Sequence, residues 1–362
     1  MNKNLIIRAD ASTHIGTGHI MRCIAFAQAW QDKGGSVTFL SHCDSEFLRQ
    51  RIRDEGFKFI SIERPHPDLD DFSQTLTTLK QLEIRNSKLE TWVVLDGYHF
   101  TPNYQKAIRE NGYRLLVIDD TAHLDHYHAD ILLNQNIHAP SLPYSCDMDT
   151  VELLGCKYVM LRREFLKYKD WKREIPEKPK KILVTMGGSD PDNVTFKIIK
   201  AFNYLEDANL EAKVVAGPAN PNINSLEKEL HFSLFTFHLL PNTSKMPEVM
   251  AWADMSISAG GSTCWELAFM GVPMILIVTA DNQKAIASGL DTTGVAHNLG
   301  WFSDVSVLNI SQSLNCICQD HRMQEMMNLQ GKKLIDGNGA LRVLTAMKDV
   351  VNESLFRDME LS

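Results

Sequence analysis

A chain of 362 residues is long for one hydrophobic core and points to two domains. Its composition, 44% hydrophobic and 23% charged, is that of a soluble globular protein. A formal net charge of −8 provides no basic excess for nonspecific nucleic-acid binding, and no apolar run reaches the ~18 residues of a membrane-spanning helix.

The first residues enter a strand directly, without the pattern of a secretory signal peptide. Seven scattered cysteines fit a reducing compartment better than a disulfide framework, so a cytoplasmic protein is expected. Leu5 to Asp10 reads as a buried strand, since apolar residues run on without alternation. Gly16 and Gly18 then allow a tight turn. From His19 the chain reads as helix, with Ile20, Ile24, Ala27 and Trp30 at near-helical spacing.

The loop after such a strand faces the ligand crevice of an open α/β sheet. His19 is therefore expected to point at a substrate from a helix N-terminus. The positive end of that helix favours a neutral imidazole, fit to accept a proton. A plain helix residue without chemistry is the alternative.

Strand and helix signals alternate after that. Ser36 to Ser41, Phe57 to Ile62, Trp92 to Asp96, Arg114 to Asp119 and a final short Asp130 to Leu133 read as strands. Glu46 to Glu55, Phe72 to Asn86 and Pro102 to Asn111 read as helices. Such alternation predicts a parallel sheet covered on both faces. His123, His126 and His128 (HLDHYH) invite a metal, but the segment reads as a polar loop in which no cysteine or acid completes a convincing ligand set. No metal and no cofactor are expected.

Tyr168 to Pro179 is charged, carries two prolines and reads as a linker. The pattern then restarts. Lys181 to Thr185, Ala212 to Ala216, Phe235 to His238, Met255 to Ser258 and Pro273 to Val278 are predicted strands, Val194 to Tyr204 is a helix, and the chain after Val305 is mostly helical. The expected domains are 1–167, a linker at 168–180, 181–350, and a tail at 351–362. Two consecutive α/β domains with a crevice between them follow from pattern alone.

Two glycine junctions mark the second domain. Gly187, Gly188 and Ser189 follow one strand; Gly260, Gly261, Ser262 and Thr263 join another strand to a helix. Each offers backbone N–H groups and a helix dipole to a diphosphate. Glu266, in the first turn of the second helix, is placed to hold ribose hydroxyls. Neither junction is a P-loop or a dinucleotide fingerprint. Ordinary tight connections remain the alternative.

The segments IGTGHIMRC, LDGY (Leu95 to Tyr98), DDTA (Asp119 to Ala122), LLNQN, GCKYVMLRREF, TMGGSDPDN, AGGSTCWELAFMGVP and DNQ (Asp281 to Gln283) occur in a specific order over nearly the whole chain. Together they resemble the PseG family, UDP-2,4-diacetamido-2,4,6-trideoxy-β-L-altropyranose hydrolases of pseudaminic acid biosynthesis. The resemblance implies a GT-B fold of two Rossmann-like domains, related to the MurG glycosyltransferase. It also implies metal-free hydrolysis that inverts the anomeric carbon and releases UDP and the free sugar.

By position, the family's general base falls on His19, its active-site tyrosine on Tyr98, its active-site asparagine on Asn282 and its uridine-gripping acid on Glu266. Gly16, Gly18, Gly187, Gly188, Ser189, Gly261, Ser262 and Thr263 complete the expected UDP site. Asp10, at the end of the first strand, could orient His19 or the water, or simply form a turn. Tyr98 could be a plain loop aromatic, and Asn282 a helix cap. Arg22 is expected to pair with an acid. UDP is a good leaving group, so no carboxylate pair of the glycosidase kind is needed. The expected partners are a UDP-sugar and UDP; no nucleic acid and no membrane are expected, and the chain is expected to be a monomer. A GT-B glycosyltransferase with a UDP-sugar donor and a noncatalytic nucleotide-sugar binding protein are the competing readings.

Overall fold

Unalternating apolar runs become the strands of two parallel sheets. The computed structural model describes residues 4–12, 17–83, 91–205, 209–217, 220–231 and 235–360. Contacts divide the chain into two units, one running to Arg163 and resuming at Asn338, the other spanning Glu164–Gly337.

In the first unit β1 (Asn4–Ala9), β2 (Ser36–Ser41), β3 (Lys58–Ser61), β4 (Thr91–Asp96), β5 (Arg114–Ile118), β6 (Ile131–Asn134) and β7 (Val151–Leu154) form one sheet. Its order is β3-β2-β1-β4-β5-β6-β7, and every pairing is parallel. The helices α1 (Gly18–Asp32), α2 (Glu46–Asp54), α3 (Leu69–Glu83) and α4 (Pro102–Glu110) make the crossovers. Sequence order reverses between β1 and β4, so their carboxyl ends define the switch point of the sheet. There Ala9 and Asp96 lie in register.

Leu5, Ile6 and Ile7 are buried, as covered parallel strands require. Arg8 is buried with them; it pairs with Asp10 and Asp71 and lies over the Phe100 ring at 5.0 Å. Helix α1 buries Ile20, Ile24, Phe26 and Trp30, and it ends where Gly34 takes φ 81°, a left-handed conformation that suits glycine. Strand β7 was not expected. Its four residues include Glu152 and are too short for an apolar signal.

The second unit begins within α5 (Arg163–Leu166). Its strands are β8 (Lys181–Thr185), β9 (Glu211–Ala216), β10 (Thr236–Pro241), β11 (Met255–Ala259), β12 (Met274–Val278) and β13 (Ala296–Trp301). They are parallel in the order β10-β9-β8-β11-β12-β13. The switch point lies between β8 and β11, the strands that run into the two glycine junctions. Edge strand β13 was also unexpected, because His297 and Asn298 interrupt its apolar run.

Helices α6 (Val194–Phe202), α7 (Ile223–His231), α8 (Met246–Trp252), α9 (Thr263–Phe269), α10 (Lys284–Thr292), α11 (Val307–Gln319) and α12 (His321–Leu334) complete this unit. The expected boundaries need correction at two places. The linker is anchored to the second unit, since Arg173 donates to the carbonyls of Met250, Ala253 and Met270. The last helix, α13 (Gly339–Glu360), belongs to the first unit, where Ala340, Val343 and Met347 join the core of Leu5, Ile24 and Trp30. An amphipathic pattern announces a buried face but not which core receives it.

Candidate active site

His19 stands in the first turn of α1, directly beyond β1. Its Nδ1 lies 2.6 Å from Asp96 Oδ1. A carboxylate only accepts, so Nδ1 is the nitrogen that donates to Asp96, and Nε2 is left as the other site for a proton. Asp96 ends β4, the neighbour of β1, which is why the two side chains meet.

Arg22, one turn beyond His19, donates Nε to Asp96 Oδ2 and Nη2 to Asp96 Oδ1, both at 2.6 Å. Burial pushes the Asp96 carboxyl up, but Arg22 and His19 outweigh it and hold it well below the usual carboxylate range. Cys23 adds a weak bond to the same carboxylate at 3.3 Å.

A second acid continues this network. Asp120 follows β5 and accepts from Arg22 Nη1 at 2.7 Å, Asn136 Nδ2 at 2.6 Å and the Tyr98 hydroxyl at 2.7 Å. Burial raises its pKa, and Arg22 more than reverses that. Tyr98 sets its ring edge-on to His19, with centroids 5.1 Å apart. The Tyr98 ring also meets His123 edge-on, and His123 is held by Asp119 Oδ2 and the Tyr98 carbonyl at 2.9 Å each. The Asp119 bond raises the His123 pKa.

His19 and Tyr98 therefore come together, and Arg22 pairs with acids as expected. Asp10 does not orient His19. It is fully buried and receives Arg8 and the His42 backbone N–H at 2.7 Å, and His99 Nε2 lies 3.0 Å from its Oδ2. Burial raises its carboxyl, yet His99, Arg8 and His42 bring it down to about 2. Asp96 fills the role expected of Asp10, because α1 faces the neighbouring strand. Gly18 opens α1 and is exposed; Gly16 lies outside the described residues.

In the second unit the two junctions differ. Gly187 takes φ 84°, and the loop packs on Gly217, whose missing Cβ would stand 2.5 Å from the Gly187 carbonyl. Beyond Ser189, the Asp190 carboxylate accepts from the N–H groups of Val194 and Thr195 at 2.8 and 3.0 Å. The N-cap of α6 is Asn193, and Asp190 takes the first two N–H groups of the helix, which are therefore not open to a diphosphate as expected.

At the second junction, Ser262 is the N-cap of α9 and makes no side-chain bond to that helix. Glu266 sits partly exposed in its first turn. Gly260 packs against Gln283, with a Cβ position 3.2 Å from Gln283 Cβ. That contact brings the one-turn segment Asp281–Gln283, and Asn282 within it, beside the junction. Asn282 is exposed and is not the cap of α10, which is Gln283.

Two parallel-sheet Rossmann-like domains of this order constitute the GT-B, glycosyltransferase-like fold. Acinetobacter baumannii MurG has the same fold, with a TM-score of 0.65 at 16% identity over 96% of this chain and 99% of that one. Residues 181–334 match the glycosyltransferase family 28 C-terminal domain.

Among whole sequences, the chain is 26% identical over 299 residues to the UDP-2,4-diacetamido-2,4,6-trideoxy-β-L-altropyranose hydrolase of Campylobacter jejuni, covering 80% of this chain and 97% of that protein. It is 22% identical to the spore coat polysaccharide biosynthesis protein SpsG of Bacillus subtilis, over 96% of this chain and 99% of that one. It is 26% identical to the uncharacterized protein MJ1062 of Methanocaldococcus jannaschii over 77% of this chain, and it spans only 56% of that relative's length. No helix among the described residues is long and apolar enough to cross a membrane.

Proposed function

We propose that this chain is a UDP-sugar hydrolase that releases UDP and free 2,4-diacetamido-2,4,6-trideoxy-L-altrose in pseudaminic acid biosynthesis. The observation that carries the reading is the Asp96–His19 pair at the switch point of the first sheet. A histidine whose Nδ1 proton is held by a buried carboxylate presents Nε2 as a base, and Asp96 stabilises the imidazolium formed when water gives up its proton. Arg22 fixes the acid, and Tyr98, itself oriented by Asp120, is placed to position the sugar or the water. The likeness to the Campylobacter hydrolase supports the substrate.

The second unit supplies the nucleotide site, with the Gly261–Thr263 turn at the diphosphate, Glu266 at the ribose and Asn282 beside them. Gly187, Gly188 and Ser189 take part through their backbone. Backbone dipoles stabilise the leaving charge without a cation. Water attacks the anomeric carbon, the C–O bond to UDP breaks, and one displacement inverts the centre. No carboxylate is assigned as nucleophile, so no covalent intermediate is formed. Incubation with the UDP-sugar and no acceptor tests this directly. UDP and free sugar should appear together; UDP formation only on addition of an alcohol acceptor would make the chain a transferase.

A further inference from the structure

We propose that His126, His128 and Asp147 form a binding site for one zinc-class divalent cation, remote from the His19 centre. The two imidazoles are separated by one residue in sequence, and the fold brings Asp147 to them from 19 residues beyond His128. Tyr127 pairs with Cys146 in a parallel bridge, which lays 126–128 alongside 145–147. Tyr127 points inward and is buried, so its two neighbours share the opposite, partly exposed side. His126 Nε2 and His128 Nδ1 both stand 3.0 Å from the same oxygen, Asp147 Oδ1, and the three ligand atoms all lie within 4.8 Å of one another.

In a tetrahedral zinc site with bonds near 2.0–2.1 Å, neighbouring ligand atoms are about 3.3 Å apart. The two imidazole–carboxylate contacts need only open by a few tenths of an ångström to reach that spacing. The two imidazoles are borderline donors, which favour zinc, cobalt or nickel over magnesium or calcium. Two of the outer atoms are already anchored. His126 Nδ1 meets Ser145 Oγ at 2.9 Å, and Arg109 holds Asp147 Oδ2 at 2.7 Å while leaving Oδ1 to the ion. Arg109 and Arg114 oppose a cation, but Asp130, Asp147 and Asp149 outnumber them, so the surroundings favour positive charge.

The site is separate from the proposed chemistry. Asp130 bonds the start of β5, so this cluster belongs to the amino end of the sheet, whereas Asp96 ends β4 and Asp120 follows β5 at their carboxyl ends. His123 is not a ligand, since both its ring nitrogens face Asp119 and the Tyr98 carbonyl. The bound ion would tie the segment after β5 to the segment before β7.

The full chain, stripped with EDTA and dialysed, should be titrated with Co²⁺ and then with Zn²⁺. One equivalent of Co²⁺ should give visible absorption of a four- or five-coordinate site, and Zn²⁺ should abolish it. His126→Gln and His128→Gln should each weaken binding tenfold or more, and His19→Ala should not. X-ray absorption of the zinc-loaded native chain should show nitrogen and oxygen ligands with two imidazoles, a readout that needs no variant to fold. Absence of saturable Co²⁺ absorption, unchanged affinity in both Gln variants, or sulfur in the zinc shell would each overturn the site.

Discussion

Asp96 is the residue on which the proposed chemistry turns. Replacing it with Asn removes the charge that holds the His19 Nδ1 proton and leaves the buried Arg22 one partner fewer. Turnover should fall on the order of 10²–10⁴-fold, with UDP binding preserved. Equal turnover by Asp96→Asn in a steady-state assay would remove the pair from the mechanism. His19→Ala should abolish turnover and leave calorimetric UDP affinity nearly unchanged. Glu266→Ala should do the reverse, weakening UDP by ~1–3 kcal/mol, the usual cost of a lost charge-assisted hydrogen bond. The two phenotypes separate the base from the nucleotide site.

Asp10 makes a different prediction, one of stability. Its folded pKa of about 2 lies below the unfolded value, so its contribution is present above about pH 4 and is lost as pH falls toward 2. That contribution is about 2 kcal/mol. Asp10→Asn should therefore destabilise the chain at neutral pH, and denaturant titrations should show the gap closing below pH 4. A gap independent of pH would contradict the assignment of Asp10 to the Arg8 pair.

Among the elements, the glycine junctions show what sequence makes legible. The strands that precede them and their positions at the switch point follow from apolar runs and loop residues. The occupancy of each helix end does not. Asp190 looks like one more turn-former in GGSDPDN, yet its carboxylate closes α6, whereas the similar-looking Ser262 leaves α9 without a side-chain cap. The same holds for His19. Its place at a helix start is readable, but its partner sits 77 residues away on a strand whose adjacency to β1 only the sheet order reveals. An acid ending a strand, as in LDGY and DDTA, is the signal that could have found Asp96 and Asp120.

Gly217 tests the first junction. Gly217→Ala would drive a methyl into the Gly187 carbonyl and Gly188 backbone, which cannot swing aside as a side chain would. A cost of ~1–3 kcal/mol in stability is expected, and UDP affinity should fall with it. Unchanged UDP affinity in the folded variant would remove Gly187 and Gly188 from the nucleotide site.

At the scale of the molecule, the first unit is discontinuous. Its sheet comes from the first 163 residues, while α13 returns from the end of the chain to cover the same core as α1. Strand-helix alternation made two α/β domains evident, but this closing exchange has no local signature. Truncation after Gly337 would uncover the surface under Val343 and Met347, each worth ~1.5–3 kcal/mol when buried. Thermal unfolding of the truncated chain should show the first unit melting early. Equal stability would place α13 outside that core.

Turnover of the UDP-sugar in ¹⁸O-water, without acceptor, tests the central claim most directly. Attack of His19-activated water at the anomeric carbon puts the label in the free sugar and none in UDP, and rapid NMR should find the inverted anomer before mutarotation. Label in phosphate, with UMP and a sugar phosphate as products, would contradict it.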